Sequence, residues 1–167
     1  MIQFENVTEI LKYLSTFHRE ILHSDSEKHF VSDPDESETS IDSLLFYPAV
    51  FFLEQGDKIT GEAVSYSMNT TYSLSVLDHI EDTGDYAKID LTYKKTKRIL
   101  LELLNLLALL KRKYHRLLGG FSLHGIEITP VNNAADSLYG YIAEFKISAP
   151  YVAANCENVL IDNHNLY

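Results

Sequence analysis

The sequence has little of what secreted and thiol-dependent proteins rely on. It contains no tryptophan and one cysteine, Cys156, among 167 residues. One cysteine cannot form a disulfide within the chain, so we expect a reducing compartment. No basic residue stands near Cys156 in sequence to activate its thiol, which favours an inert side chain. The first residues, "MIQFENVTEI", lack the basic and apolar regions of a signal peptide. We therefore expect a soluble intracellular protein.

Basic charge is also scarce. The chain has 14 Lys and Arg against 24 Asp and Glu, a formal net charge of −10. Proteins that wrap nucleic acid need a basic surface to neutralise phosphates, so the net charge argues against this class, although a local basic patch is compatible with it. The basic residues concentrate in residues 111–116, at the end of a predicted helix, where the helix dipole favours cations. A phosphate-binding role for that cluster is the less favoured alternative.

Long apolar runs and catalytic motifs are missing as well. The longest apolar stretch, Ile99–Leu110, is interrupted by Glu102 and Asn105 and is shorter than the ~20 residues of a membrane span. The sequence has no Gly-rich phosphate loop, nucleophile elbow, CxxC or HExxH. Its seven histidines show no spacing typical of a metal site. We therefore expect no membrane partner, no metal, no cofactor and no enzymatic activity.

Two acidic segments raise alternatives that the sequence does not favour. Residues 24–42 hold seven acids and one lysine, but they lack the glycine and spacing of an EF-hand, so a mobile acidic loop is the better interpretation. The acids Asp78, Glu81, Asp82 and Asp85 follow a predicted strand, where turn acids are common. A paired-carboxylate active site there is the less favoured alternative.

The order of predicted elements gives the fold class. Residues 7–23 have the apolar spacing of an amphipathic helix, with Asn6 as its N-cap. The next predicted elements are a strand over 44–53, a turn over 54–58 and an extended segment over 59–80. A helix follows over 91–118, capped by Asp90 or Thr92 and ended by Gly119 and Gly120 in the left-handed conformation, and then strands over 121–131 and 138–149. Helices and strands do not alternate strictly, which predicts an α+β fold. We expect a mostly antiparallel sheet packed by the N-terminal helix and one long central helix.

The order of the predicted elements also gives the domain organisation. Residues 1–150 form one predicted domain, with the mobile loop at 24–42. Pro150 is expected to end the last strand, and residues 151–167 are expected to be a docking tail because they carry apolar Val159, Leu160 and Ile161. Pro48 is expected to put the first strand at a sheet edge, or to delay its start.

The stretch "SYSMNTTYSLSV", residues 65–76, alternates without a break, as a strand with one buried face does. Because strands usually span 3–10 residues, we expect the longer segment 59–80 to bend between two sheets or to split near Asn69. The face away from the core carries no charge; its members are Ser65, Ser67, Asn69, Thr71, Ser73 and Ser75. Small hydroxyl side chains allow close approach without burying a charge. We interpret this row as a subunit-contact face or the lining of a narrow lumen.

The chain resembles the tail terminator (tail completion) proteins and related neck-ring proteins of long-tailed bacteriophages. The resemblance covers residues 1 to about 150 and rests on the order of elements, on "YPAVFFL", on "SYSMNTTYSLSV" and on "SLYGYIAEFKISAP". It implies a structural virion protein, assembled in the host cytoplasm as a homo-oligomeric ring of six or more subunits. Its partners would be itself and the adjacent neck and tail-tube proteins, with DNA at most passing through the channel.

A second hypothesis stays open. A small α+β module or adaptor that binds a ligand or peptide between the long helix and the sheet would have the same composition. The two hypotheses differ in solution mass, because a ring gives a multiple of the subunit mass and a binding module gives a monomer or dimer.

Overall fold

A five-stranded sheet with helices against one of its faces makes up the described part of the chain. The computed structural model describes residues 3–32, 45–62, 65–133 and 135–151. The elements, in chain order, are helix α1 (Val7–Phe17), strands β1 (Lys28–Val31), β2 (Leu45–Glu62) and β3 (Ser65–His79), helices α2 (Tyr86–Leu110) and α3 (His115–Leu118), and strands β4 (Glu127–Asn133) and β5 (Leu138–Tyr151). The predicted α+β class is confirmed.

The sheet has the strand order β1-β2-β3-β5-β4. β1 pairs with β2 in parallel, and the other three pairings are antiparallel. The sheet is therefore mostly antiparallel, as predicted. β3 lies at its centre, between β2 and β5.

The main core lies between this sheet and helices α1 and α2. Its fully buried side chains come from both helices and from the alternate residues of three strands; they include Ile10, Leu11, Phe52, Leu74, Ile99, Leu100, Leu103, Leu107 and Ala143. Strand residues point alternately to the two faces, so the intervening residues lie on the other side of the sheet. Both described long helices thus cover one face only.

Helix α1 begins as predicted but ends earlier. The Asn6 side chain accepts a hydrogen bond from the backbone N–H of Glu9 at 2.9 Å, which caps the helix. The helix ends at Phe17 and not at residue 23, because the following residues bind α2 instead of continuing the turn. His18 Nε2 lies 2.9 Å from Glu102 Oε2, and Arg98 donates two hydrogen bonds to the carboxylate of Glu20 at 2.7 and 2.8 Å.

The ion pair between Glu20 and Arg98 fixes the angle at which the chain leaves α1. The bond from Arg98 holds the pKa of the Glu20 carboxyl below its usual value. Bidentate arginine–carboxylate pairs restrict geometry as well as adding charge attraction. This contact joins residues far apart in sequence, so the apolar periodicity of residues 7–23 could not predict it.

Helix α2 is shifted toward the N-terminus relative to the prediction. Its N-cap is Asp85, whose carboxylate accepts from the backbone N–H of Lys88 at 3.0 Å, so neither Asp90 nor Thr92 caps it. It ends at Leu110, and turns at 111–114 separate it from the short helix α3. Gly119 has a φ of −55°, so the predicted left-handed termination by glycine is wrong.

The predicted turn at residues 54–58 is a bulge inside a strand. β2 continues through Gly56, whose φ of 139° is available mainly to glycine, and its register against β3 shifts between Glu54 and Gly56. The chain reverses later, since Glu62 pairs with Ser65. The segment predicted over 59–80 neither bends between two sheets nor splits near Asn69: residues 59–62 belong to β2, and β3 runs unbroken from Ser65 to His79.

The predicted acidic loop, residues 24–42, contains a strand. Phe30 and Val31 of β1 are 4% and 1% exposed, one on each side of the sheet. The two apolar residues among many polar ones were enough to form a short sheet edge. Residues 33–42 of the predicted loop lie outside the described residues.

Prolines occupy positions that differ from the predictions. Pro48 lies inside β2, in the stretch where the register against β1 shifts between the Leu45 and Val50 pairs. Pro130 lies in the middle of β4, an edge strand, where a missing N–H can face away from the sheet. Pro150 pairs with Ser67 and does not end β5, which runs to Tyr151. Beyond Tyr151, the predicted docking tail lies outside the described residues.

We predict that Leu107→Ala lowers the free energy of unfolding by about 2–5 kcal/mol, because its fully buried side chain fills the space between α2 and the sheet. The matched control is Leu109→Ala on the same helix, where the side chain is 74% exposed and the change should stay within about 0.5 kcal/mol. Denaturant unfolding of both variants measures the difference. Equal losses would show that Leu107 is not a core residue.

A buried histidine should make stability depend on pH. The backbone N–H of His29 donates to His23 Nδ1 at 3.1 Å, and burial, the largest cause, lowers the pKa of His23 below 6.5, with a smaller contribution from Lys12. The unfolded chain therefore takes up a proton before the folded chain does, and stability falls as pH drops below 6.5. His23→Asn keeps an acceptor but cannot titrate.

We predict that the melting temperature of the native protein falls more between pH 7 and pH 5 than that of His23→Asn. Thermal unfolding of both proteins across this range measures the difference, so that titration of the other histidines cancels. Parallel curves would mean that His23 contributes nothing to the pH dependence.

The helix-free face as a candidate contact site

The face of the sheet opposite α1 and α2, here called the helix-free face, carries the row singled out from the sequence. The six residues of this serine row are Ser65, Ser67, Asn69, Thr71, Ser73 and Ser75, and they alternate with core residues along β3. Because β3 is the central strand, the row runs down the middle of the face. Among the described elements, both long helices pack on the opposite face.

Exposure along the row is graded. Ser65 is exposed, Ser67, Asn69, Thr71 and Ser75 are half-buried, and Ser73 is only 4% exposed. In register, Ser73 lies between Leu53 of β2 and Glu144 of β5. Both register partners carry larger side chains than Ser73, which is the least exposed member of the row.

Charged residues border the row, although none belongs to it. Lys58 of β2 pairs with Asn69, and on β5 Glu144 and Lys146 pair with Ser73 and Thr71. All three charged residues are exposed. The sequence pattern of β3 alone does not predict these charged neighbours. They lie beside the row only because of the register of β2 and β5 against β3.

Asn69 connects three strands across the distal half of the face, the half nearest the β2–β3 reversal. Its Nδ2 donates to Thr60 Oγ1 of β2 at 2.8 Å, and its Oδ1 accepts from Ser148 Oγ of β5 at 2.5 Å. Its Nδ2 also lies 3.3 Å from the carbonyl oxygen of Lys58. These bonds satisfy polar groups within the sheet, so a surface brought against this half would not have to supply partners for them.

The other half of the helix-free face is apolar. Val31, Ala49 and Phe51 are buried there and form a second, smaller cluster with the half-buried Leu45, Tyr47 and Leu77. The Tyr47 ring packs against His79 at 5.7 Å between centroids, and burial raises the pKa of the Tyr47 hydroxyl. Thus the face changes along β3 from apolar to polar, with the buried Ser73 between the two halves.

A surface groove of about 370 Å³ opens beside the row. Its lining includes Thr71, His124, Glu127, Glu144 and Lys146. Glu127 and Glu144 are register partners on β4 and β5, a like-charged pair. Within residues 3–32, 45–62, 65–133 and 135–151, no group of three or more His, Cys, Asp or Glu could hold a metal ion.

Three of the four acids considered as an alternative active site, Asp78, Asp82 and Asp85, have structural partners. Asp78 accepts from Lys95 Nζ at 2.7 Å, Asp82 accepts from the backbone N–H of Gly84 at 2.9 Å, and Asp85 caps α2. These contacts hold the connection between β3 and α2.

The basic cluster of residues 111–116 lies just after α2. Lys111 Nζ donates to the carbonyl oxygen of Phe121 at 2.8 Å, which ties the end of α2 to the chain leading into β4. A second groove, of about 390 Å³, opens beside it, with Phe4 and Tyr114 among its lining residues. The sequence pattern does not predict this groove, because its aromatic residues Phe4 and Tyr114 are far apart along the chain.

Comparisons with known proteins assign no relative. No family model matches the chain, and the search of curated proteins finds no match. Across the described parts of the chain, none of the helices combines the length and apolarity needed to cross a bilayer.

We predict that Asn69→Ala lowers the free energy of unfolding by about 1–2 kcal/mol, because it removes bonds to β2 and to β5 worth about 0.5–1.5 kcal/mol each. Ser67→Ala, a neighbouring change in the same row, is the control and should stay within about 0.5 kcal/mol. Urea unfolding of the two variants tests this. An Asn69→Ala variant as stable as the control would mean that the three-strand connection adds no stability.

Proposed function

We propose that this chain is a non-catalytic structural subunit that assembles with copies of itself through the helix-free face. The observation that carries the proposal is the one-sided packing of the sheet: the described long helices cover one face, and the centre of the other bears an uncharged row. A row of small, uncharged side chains can receive another protein surface without burying an unpaired charge. The charged residues at its borders can set the register of that contact.

The family resemblance supports a specific kind of assembly. The chain folds as one helix, three strands, a long helix, a short helix and two strands. Apart from the short helix, this order is compatible with the one on which the resemblance to tail terminator and neck-ring proteins rests. We therefore propose a ring of six or more subunits at the neck or tail end of a virion, assembled in the host cytoplasm. Its partners would be the adjacent neck and tail-tube proteins, with DNA only passing through the channel.

The alternative, a module that holds a ligand or peptide between the long helix and the sheet, has less support. Leu103 and Leu107 of α2, and Leu74 and Ala143 of the sheet, are fully buried against one another. The two grooves described above lie at the surface and not between these layers. A peptide-binding adaptor would have to use one of those surface grooves.

The burial of Ser73 decides which residue can test the proposal. A glutamate at Ser73 would be placed in a nearly inaccessible position beside Glu144, so it would destabilise the subunit itself. Ser67 is half-buried, with Thr60 and Pro150 as its register partners. A glutamate there can reach solvent in the free subunit, and it therefore reports on contacts between subunits.

We predict that the native protein assembles to a multiple of its 19.0 kDa subunit mass and that Ser67→Glu does not, while Ser67→Ala assembles normally. Buried, unpaired charges repeated around a ring would oppose association. Light scattering after size exclusion measures the mass, and circular dichroism checks that each variant is folded. Normal assembly of Ser67→Glu would remove the helix-free face from the interface, and a native protein that stays monomeric at every concentration would contradict the ring.

A further inference from the structure

An exposed basic corner follows α2, next to Tyr114 and Leu117, which pack against the core on the helix-bearing side of the sheet. Its members are Arg112, Lys113, His115 and Arg116, and all four are exposed. They lie in the turns after α2 and in α3, within five consecutive positions. This is a dense positive patch on a chain whose formal net charge is −10.

The groove beside this corner combines apolar and basic walls. The Phe4 and Tyr114 rings contact edge to face at 5.0 Å between centroids, and Phe4 also packs against Tyr13 at 5.4 Å. Lys113 and Arg116 border the groove, together with Leu117. Such a surface suits a peptide segment with several carboxylates and an apolar side chain, because the rings can receive the apolar group while the cations meet the carboxylates.

Within the described part of the chain, no carboxylate forms an ion pair with Arg112, Lys113 or Arg116. Basic residues elsewhere on the helices do have such partners: Arg98 pairs with Glu20, and Lys94 pairs with Asp90. The charge of the basic corner is therefore available to an acidic partner.

The same chain contains a segment of matching chemistry. Residues 33–42, "DPDESETSID", hold five acids and no basic residue. They account for half of the net negative charge, and Ile41 supplies one apolar side chain. The segment leaves the described structure after Ser32, which follows the edge strand β1, so it starts at the edge of the sheet.

We propose that residues 33–42 of one copy dock on the basic corner and the Phe4–Tyr114 groove of the next copy. This inference rests on the proposed function, since it needs copies in contact. Two complementary surfaces at different places on one chain produce head-to-tail contacts, and head-to-tail contacts close into rings when the rotation between subunits allows it. The acidic segment and the basic corner are such a pair.

The experiment uses two charge-reversed variants of the full chain and their mixture. The first variant is Lys113→Glu with Arg116→Glu, and the second is Glu36→Lys with Glu38→Lys. The control is Lys88→Glu with Lys94→Glu, which makes the same charge change at exposed positions near the start of α2. Mass by light scattering is measured for each protein alone and for the equimolar mixture of the first two.

The expected result is that each reversed variant alone loses at least tenfold in assembly affinity. The control should assemble like the native protein, and the mixture should recover native assembly because each reversed surface meets a reversed partner. If both variants assemble normally alone, this inference is wrong while the helix-free face stays in place as the interface. If the mixture also fails, the contact between copies is wrong. If the native protein never assembles, both proposals fail together.

Nucleic acid is the competing ligand for a basic surface. The Lys113→Glu, Arg116→Glu variant also tests whether the basic corner binds it. Duplex DNA is titrated against the native protein and against Lys113→Glu with Arg116→Glu, at low salt. Binding that the native protein shows and the variant loses, with assembly unchanged, would overturn the inference and make the corner a phosphate contact. Absence of such binding, together with recovery in the mixture, supports the docked segment.

Discussion

The packing of α2 on one face of the sheet is the constraint on which the other features depend. Its buried stripe is Thr92, Thr96, Ile99, Leu100, Leu103, Leu104 and Leu107. This stripe covers the inner residues of β3 and β5, and α1 lies beside it with its own apolar side buried. Burial of large aliphatic side chains is the dominant favourable contribution to folding, about 1.5–3 kcal/mol for each. The position of α2 therefore decides which side of every strand becomes core and which side is left for other contacts.

One consequence is that the two faces of the sheet have different chemistry along the same strands. On β3, Tyr72, Leu74 and Val76 are buried against the helices, while the residues between them form the serine row. A central strand with helices on both faces would read as a continuous apolar run. The alternation of β3 therefore results from the packing of helices on only one face of the sheet. The alternation does not predict that Ser73 is buried. Its register partners, Leu53 and Glu144, lie on neighbouring strands.

The sequence predicted the features that depend on local pattern and missed those that depend on pairing. The α+β class and the inner and outer faces of β3 follow from periodicity of 3.6 or 2 residues, and the cap at Asn6 follows from residue type. The bulge at Gly56 looked like a turn, because glycine between polar residues is typical of both. The sequence did not predict β1, because its few apolar residues lie among many charged ones. It also did not predict the contacts of the residues after α1 with the distant Arg98 and Glu102. The groove beside Tyr114 depends on Phe4, more than a hundred residues earlier.

The charge distribution adds an argument about the kind of assembly. A contact made by the serine row alone, facing the same row of another copy, would be isologous and would stop at a dimer. The basic corner and the acidic segment are not alike, so a contact between them repeats in one direction from copy to copy. A ring requires that second kind of contact, with the helix-free face meeting a different surface of its neighbour. Uncharged and apolar groups then supply close packing, while the paired opposite charges select the neighbour's orientation.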